Sequence, residues 1–599
     1  MRTILATAAA ILLTLSACSS EQGQEEVQAQ QQAPDTGTEF AALLDEHFKR
    51  ILALNPIYAT SIGEDQYNDQ YANSIGPEYL AASHDLDAEF LSRLEAVDYS
   101  ELNAQDQLSY EMFKLRLEMS LAAEQFPTHL APMNQFRSAT SSFVRLGSGS
   151  GLHPFDSVKD YEDFLGRVDG FVIYIDQAIA NMKEGIQQGI TQPKVLMQKF
   201  APQVKSQLVD SAEESGFYAP ILNMPESFSD ADRERLTLAY RDAIENKIIP
   251  TYARIDNFMN DDYLAAARDS VGLLDLPNGD NWYAYNVRQI TTTDLTPDEI
   301  HKIGLDEVAR IHEEMRGVMD QVGFEGSLTE FFEFVYADPR FFFDEPEQLI
   351  QRYRDMAADI EKLTPKLFEV FPKTPFEVRR VEPFREASAS KGSYQSGSAD
   401  GSRPGIFYAN AYNVGVRPKW DMQSLFLHEA IPGHHFQISL QQENEELPRF
   451  RRFGGFTAYT EGWGLYAESL GKELGVYTDP MDYFGSLNAE LWRSIRLVTD
   501  TGIHAKGWTR QQVLDYMYAN SAVSETRAVA EAERFMAIPG QALAYKIGML
   551  KIREIRADAE ARLGDKFDVR AFHTAVLKDG PMPLSMLQAK IDGWVRAQL

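Results

Sequence analysis

Residues 421–437 read DMQSLFLHEAIPGHHFQ, and the Pro432-Gly433 pair at their centre forbids one continuous helix. Three of the chain's 11 histidines, His428, His434 and His435, fall in this stretch, and Glu429 follows the first directly. On an unbroken helix of ~100° per residue, His434 stands about −120° from His428, on the wrong face. His435 stands at about −20° but ~10 Å further along the axis. Zinc takes imidazole nitrogens at ~2.0–2.1 Å, so one ion cannot join rings placed like that. An interruption at Ile431-Pro432-Gly433 changes the geometry, because proline breaks the backbone ladder and glycine permits positive φ. A later histidine can then return to where a HExxH helix carries its second ligand, with the glutamate as general base. Pro432 occupies the position that the second histidine of HExxH would hold, and the spacing leaves His434 and His435 both open as that ligand. The same residues also fit two helices joined by a Pro-Gly turn, with the histidines as caps or surface groups.

The next helical stretch, FTAYTEGWGLYAESLGKE (456–473), places Glu461 and Glu468 seven apart and so on one face. Glu461 follows His434 by 27 residues, among Phe456, Tyr459, Trp463 and Tyr466. Aromatic surroundings predict burial, a buried carboxylate needs a partner, and a cation fits. Gly462 and Gly464 weaken this helix by ~1 kcal/mol each relative to alanine, which predicts a close approach to the metal-bearing helix. In LNAELWRSIRLVTDTGIH (487–504), Leu487, Leu491, Ile495 and Val498 form an apolar stripe. Arg493, Arg496, Asp500 and His504 share another face, which predicts an Arg–Asp pair stitching helices together. It also predicts that His504, past Gly502, reaches a cleft as oxyanion stabiliser or substrate contact. Glu531 and Arg534 fit a simple helix pair, or Arg534 recognises a peptide carboxylate through its bidentate fork.

Elsewhere the apolar period is mostly 3.6, and the chain reads as mainly α. Phe40, Leu43, Leu44, Phe48, Ile51 and Leu52 form one stripe, and others recur near 158–185, 233–259, 297–320 and 346–371. Thr296-Pro297-Asp298-Glu299 and Thr509-x-x-Gln512 are helix starts, Gly564 is a stop, and Pro583 opens the last helix. Two short strands are predicted at 376–381 and 405–410, forming a small β-sheet beside the metal-bearing helix. The Gly/Ser-rich link ASASKGSYQSGSADGSRPG between them reads as a solvated loop rather than a lid.

The chain starts MRTILATAAAILLTLSAC, with a positive Arg2 and an apolar run too short for the ~20 residues of a membrane span. Leu15-Ser16-Ala17-Cys18 resembles the bacterial lipobox, in which residues 1–17 are removed and Cys18 is lipidated. Residues 18–38, rich in Gln, Glu and Ser, read as a flexible tether. The body then runs over 39–599, long enough for two lobes around a cleft, with the chemistry in 405–599. Cys18 is the chain's one cysteine, which excludes a disulfide framework and a Cys-rich zinc finger. Acids outnumber bases 89 to 57, a balance that disfavours nucleic acid as a partner.

HEAIPGHH, EGWGLYAE, RLVTDTGIH, PGQALAYKIG and FH…PLSMLQ together resemble the bacterial family called domain of unknown function 885. The resemblance implies a mostly helical zincin-like body and gluzincin-type peptidase relatives, largely lipoproteins. It implies Zn²⁺ held by His428, His434 and Glu461, with Glu429 as general base. Tyr545 is similar to a zincin tyrosine that donates to the tetrahedral intermediate, with His504 as an alternative. The expected activity is zinc-dependent hydrolysis of short peptides in the cell envelope, by an oligopeptidase or carboxypeptidase. Lipid at Cys18 would hold it to the membrane, on the periplasmic face of the outer membrane, since Ser19 is not the aspartate of inner-membrane retention. Its rival is a non-catalytic peptide-binding or scaffold lipoprotein with a degenerate motif. A third reading is metal-dependent hydrolysis of a non-peptide amide.

Overall fold

The computed structural model describes residues 35–382, 386, 389–398 and 403–599; the leader, Cys18 and the tether as far as residue 34 lie outside them. The first helix is Thr36–Leu54, where Asp35 accepts the Thr38 N–H at 2.8 Å. It therefore takes in the last residues of the stretch read as tether. Phe40, Leu43, Leu44, Phe48 and Leu52 are buried, so the helix docks by the apolar stripe its sequence shows. The capping boxes at Thr296 and Thr509 form, and Gly564 stops the helix Ala544–Leu563 at positive φ.

Apolar side chains collect in several cores rather than one. Residues between Met133 and Ala267 build a core of their own, rich in stacked aromatics such as Phe143 and Phe171, 4.0 Å apart. A second core gathers the first helices, the sheet and the C-terminal helices around the histidine segment. The helix Pro297–Val322 lies along Pro480–Lys506, with Gly304 where a side chain would meet Leu497 and Val498. The latter helix is buried on nearly every side, and its polar residues cannot face water. Among the described residues no helix is long and apolar enough to cross a membrane.

The sheet has three strands: β1 (Phe376–Arg380), β2 (Gly392–Gln395) and β3 (Gly405–Ala409), in the order β1-β3-β2. β1 runs parallel to β3, Phe376 opposite Gly405, and β2 antiparallel, Tyr394 opposite Phe407. β2 lies inside the Gly/Ser-rich link that reads as a loop from sequence. Gly-Ser-Tyr-Gln carries no apolar alternation, and only the ladder to β3 makes it a strand. It leaves an outer edge beside the histidine segment.

Candidate metal centre

Two short helices and the break between them place the histidines. His428 sits in the last turn of Met422–Glu429, and His434 begins His434–Glu443. Between them the Ile431–Pro432 peptide is cis, and the Pro432 carbonyl accepts the indole N–H of Trp463 at 2.9 Å. Gly433 has φ −77, so positive φ is not why glycine stands there. Space is the reason: a Cβ would lie 1.9 Å from the His428 carbonyl oxygen and 2.3 Å from that of Leu427.

The bend brings His434, not His435, to His428. The two rings are 4.7 Å apart at 80°, and Glu461 Oε2 lies 3.5 Å from Nε2 of each. One ligand atom from each of the three residues lies within 4.8 Å of the others. A separation of 3.5 Å is long for a hydrogen bond. It matches the roughly 3.3–3.6 Å between ligands of a tetrahedral ion with bonds of ~2.0–2.2 Å. Glu461 Oε2 is buried with no hydrogen-bond partner, which is the orphaned acceptor a cation would satisfy. The three side chains thus fit zinc in both donor type and spacing.

The charges of the site point the same way. Burial pulls the His428 pKa down, but Glu461 and Glu468 outweigh it and hold it up at about 10. Burial pushes the Glu461 carboxyl up, but His428 and His434 hold it well below the usual carboxylate range. The two shifts are one interaction seen from its two partners: the carboxylates favour positive charge on the imidazole, and the imidazoles favour negative charge on Glu461. Glu468 has a part the sequence did not reveal. Its Oε1 is 2.8 Å from His428 Nδ1, so that nitrogen donates and Nε2 is left facing Glu461. Glu468 is itself buried, takes the Ser424 hydroxyl and lies 3.4 Å from Arg493. The seven-residue spacing from Glu461 was its available signal. Gly464 makes room for this, since a Cβ there would meet the His428 ring at 2.8–3.0 Å. Gly462 instead meets Gly548, so its close approach is to Ala544–Leu563 and not to the His428 helix.

Around this cluster, Glu429 Oε2 accepts the outward N–H of Tyr394 on β2 at 3.0 Å. His435 turns to the sheet, 3.0 Å from the Tyr394 hydroxyl, and burial holds it down at about 4. Tyr545 lies 6.4 Å from His428, ring to ring, and the guanidiniums of Arg496 and Arg493 sit 4.8 and 5.9 Å from its ring centre. Lys546, beside it, is fully buried between Glu490 at 2.5 Å and Glu307 at 2.7 Å, which pins the helix in place. Arg534 is tied to Glu531 at 3.3 Å and to Gln541 at 2.6 Å.

His504 is corrected by the structure. It is 0 % exposed, its Nδ1 accepts the Leu273 N–H, and its Nε2 donates to the Phe535 carbonyl, both at 3.0 Å. Neither nitrogen is left for an oxyanion or a substrate. The expected Arg–Asp stitch is also absent among the described residues: Arg496 pairs with Glu531, and Asp500 accepts from Tyr283 and Gly540. His504→Ala is therefore expected to leave metal content unchanged and to cost roughly 2–4 kcal/mol of stability, by orphaning two buried backbone groups. Burial holds His504 down at about 3 from the usual 6.5. As pH falls below 6.5 the unfolded chain takes a proton that the folded chain refuses, so stability is lost with acid. That loss reaches about 2 kcal/mol by pH 5 and is missing from the alanine variant. Chemical denaturation of both chains at pH 7 and 5 measures it.

A family described as "Bacterial protein of unknown function (DUF885)" matches residues 56–591. The crystal structure of a candidate lipoprotein from Colwellia psychrerythraea is 29% identical, with a TM-score of 0.87 over 94% of this chain and all of that one. A candidate lipoprotein of unknown function from Shewanella oneidensis is 16% identical, with a TM-score of 0.74 over 92% of this chain and 99% of that one; it shows the fold alone. No curated protein matches the chain.

Proposed function

Since the chain belongs to the DUF885 family, whose description assigns no activity, we propose from the site itself that it is a zinc-dependent hydrolase of short peptides. The observation that supports this most is the buried Glu461 Oε2, without a hydrogen-bond partner and equidistant from two imidazole nitrogens, while Glu429 directly follows one of those histidines in sequence and is held by the Tyr394 N–H of the sheet. His428, His434 and Glu461 would hold the ion. When bound, zinc supplies Lewis acidity that acidifies water and polarises a carbonyl.

The other steps belong to the protein's own groups. Glu429 has one oxygen fixed by the Tyr394 N–H; its carboxylate takes a proton from water and returns it to the leaving amine. β2 ends the sheet at Glu429, so an extended peptide along that edge passes the base. Tyr545 donates to the developing oxyanion, and Arg493 and Arg496 against its ring favour negative charge there. Glu468 holds the His428 ring in the tautomer whose Nε2 faces inward.

The lipobox-like Cys18, together with relatives described as candidate lipoproteins, supports a lipid-anchored enzyme of the cell envelope, facing the periplasm from the outer membrane. Metal analysis of the purified chain is expected to give about one zinc per molecule. A chelator should abolish peptide hydrolysis and added zinc should restore it. Protein purified without stoichiometric metal, and unable to take it up, would overturn the proposal and favour a binding protein.

A further inference from the structure

A cavity of about 1500 Å³ lies beside the metal cluster, large against the ~300–1,000 Å³ of ordinary ligand pockets. It is not lined by His428, His434 or Glu461, but it reaches their supports. Thr457 lines it, one helical turn before Glu461 (~6 Å along the axis). Gln541 also lines it, and its side chain lies 2.6 Å from Arg534 and 3.5 Å from the Tyr545 hydroxyl.

The charge of this cavity is opposite to that of the chain. The protein has 89 acids to 57 bases, yet among the described residues the cavity wall has five arginines and Lys551 against Asp294 and Glu554. Some of these cations are already used. Lys551 pairs with Glu554 at 2.8 Å, Arg288 approaches Asp294 at 4.0 Å, and Arg451 donates to Ser109 and the Asp579 carbonyl. Arg268 spends its donors on the carbonyls of Thr191, Ser270 and Gly272. Among the described residues, the guanidiniums of Arg116 and Arg137 have neither a hydrogen bond nor an ion pair. The neighbouring Arg534 charge disfavours the Arg137 cation, and an added anion would relieve that. Both side chains are exposed on the wall of this open cavity, where their unpaired forks can receive an anion, and a carboxylate matches their geometry.

We propose that this cavity binds carboxylate-bearing oligopeptides, through Arg116 and Arg137, and feeds them past Tyr545 to the metal cluster. Calling the ligand a substrate rests on the hydrolase reading; the binding does not. The carboxylate can be the peptide's free C-terminus or an acidic side chain, and the two are separable.

The test uses N-terminally dansylated pentapeptides of alanine and glycine in three forms: free acid, C-terminal amide, and amide with one internal glutamate. Binding is followed by fluorescence anisotropy in the Glu429→Gln chain, so that the peptides stay intact. At least one carboxylate-bearing form is expected to bind ~10-fold tighter than the neutral amide, with the preference shrinking in high salt. Whichever form it is identifies the source of the carboxylate. Arg116→Gln with Arg137→Gln should erase the preference, and Arg137→Lys should keep part of it. If the double variant does not fold, Arg137→Gln alone is read. Equal affinity for all three peptides, or a preference that survives loss of both arginines, overturns the proposal. Arginine-dependent preference in a zinc-loaded wild-type chain that cleaves none of the peptides upholds the cavity and removes the hydrolase. Cleavage with the same KM for acid, acidic and neutral forms does the reverse.

Discussion

Replacing Glu429 by glutamine is expected to leave zinc bound and to lower kcat/KM for peptide hydrolysis by roughly 10²–10⁴-fold, the range set by loss of a general base. The amide is isosteric, and its oxygen can still accept the Tyr394 N–H that fixes Oε2 at 3.0 Å. What it cannot do is take a proton. Glu429 is not one of the three residues whose ligand atoms converge, so metal content should not change. That separates this variant from any change at His428, His434 or Glu461, where activity and metal are expected to fall together. Metal analysis and steady-state kinetics on the same preparation check both halves. A glutamine variant within tenfold of wild-type activity would remove Glu429 from the chemistry.

How much of this was legible in the sequence depended on whether each partner was local. Helices with an apolar stripe, such as Thr36–Leu54, and those that add a capping box, such as Pro297–Val322, declare themselves because stripe and cap lie within one segment. The need for a break at 431–433 followed from arithmetic on the helix, but the choice between His434 and His435 did not. It turns on the backbone angles after the break, and those are fixed by Trp463 far along the chain. The same limit explains the errors. His504 stands on a polar face, which for an amphipathic helix would meet water or a cleft. Here the helix is buried all round, and the polar face meets Leu273 and Phe535 instead. β2 had no periodicity to read, and its existence depends on β3. The charge inversion of the cavity was beyond any local pattern, since its wall draws on residues from Tyr58 to Gln588.

Gly433→Ala carries the other large effect, because it attacks the bend without touching a ligand. Gly433 has φ −77 and so does not stand in the left-handed region. The added Cβ, however, would sit 1.9 and 2.3 Å from two carbonyl oxygens of the His428 helix, and backbone atoms cannot swing aside as a flexible side chain can. The helix beginning at His434 must move away from the end of Met422–Glu429, and His434 Nε2 moves with it. Zinc affinity is expected to fall by more than the ~10–100-fold that loss of a ligand's hydrogen-bond partner costs. The melting temperature should fall as well, with helix content retained. Chelator competition measures the first and circular dichroism the other two. Gly464→Ala presses on the His428 ring from the other side, at 2.8–3.0 Å. A ring can give by a few tenths of an ångström, so a smaller loss is expected there, and this variant carries the test if Gly433→Ala does not fold. A folded Gly433→Ala chain with wild-type zinc affinity would mean that the break does not set the position of His434, and the ligand set would have to be sought elsewhere.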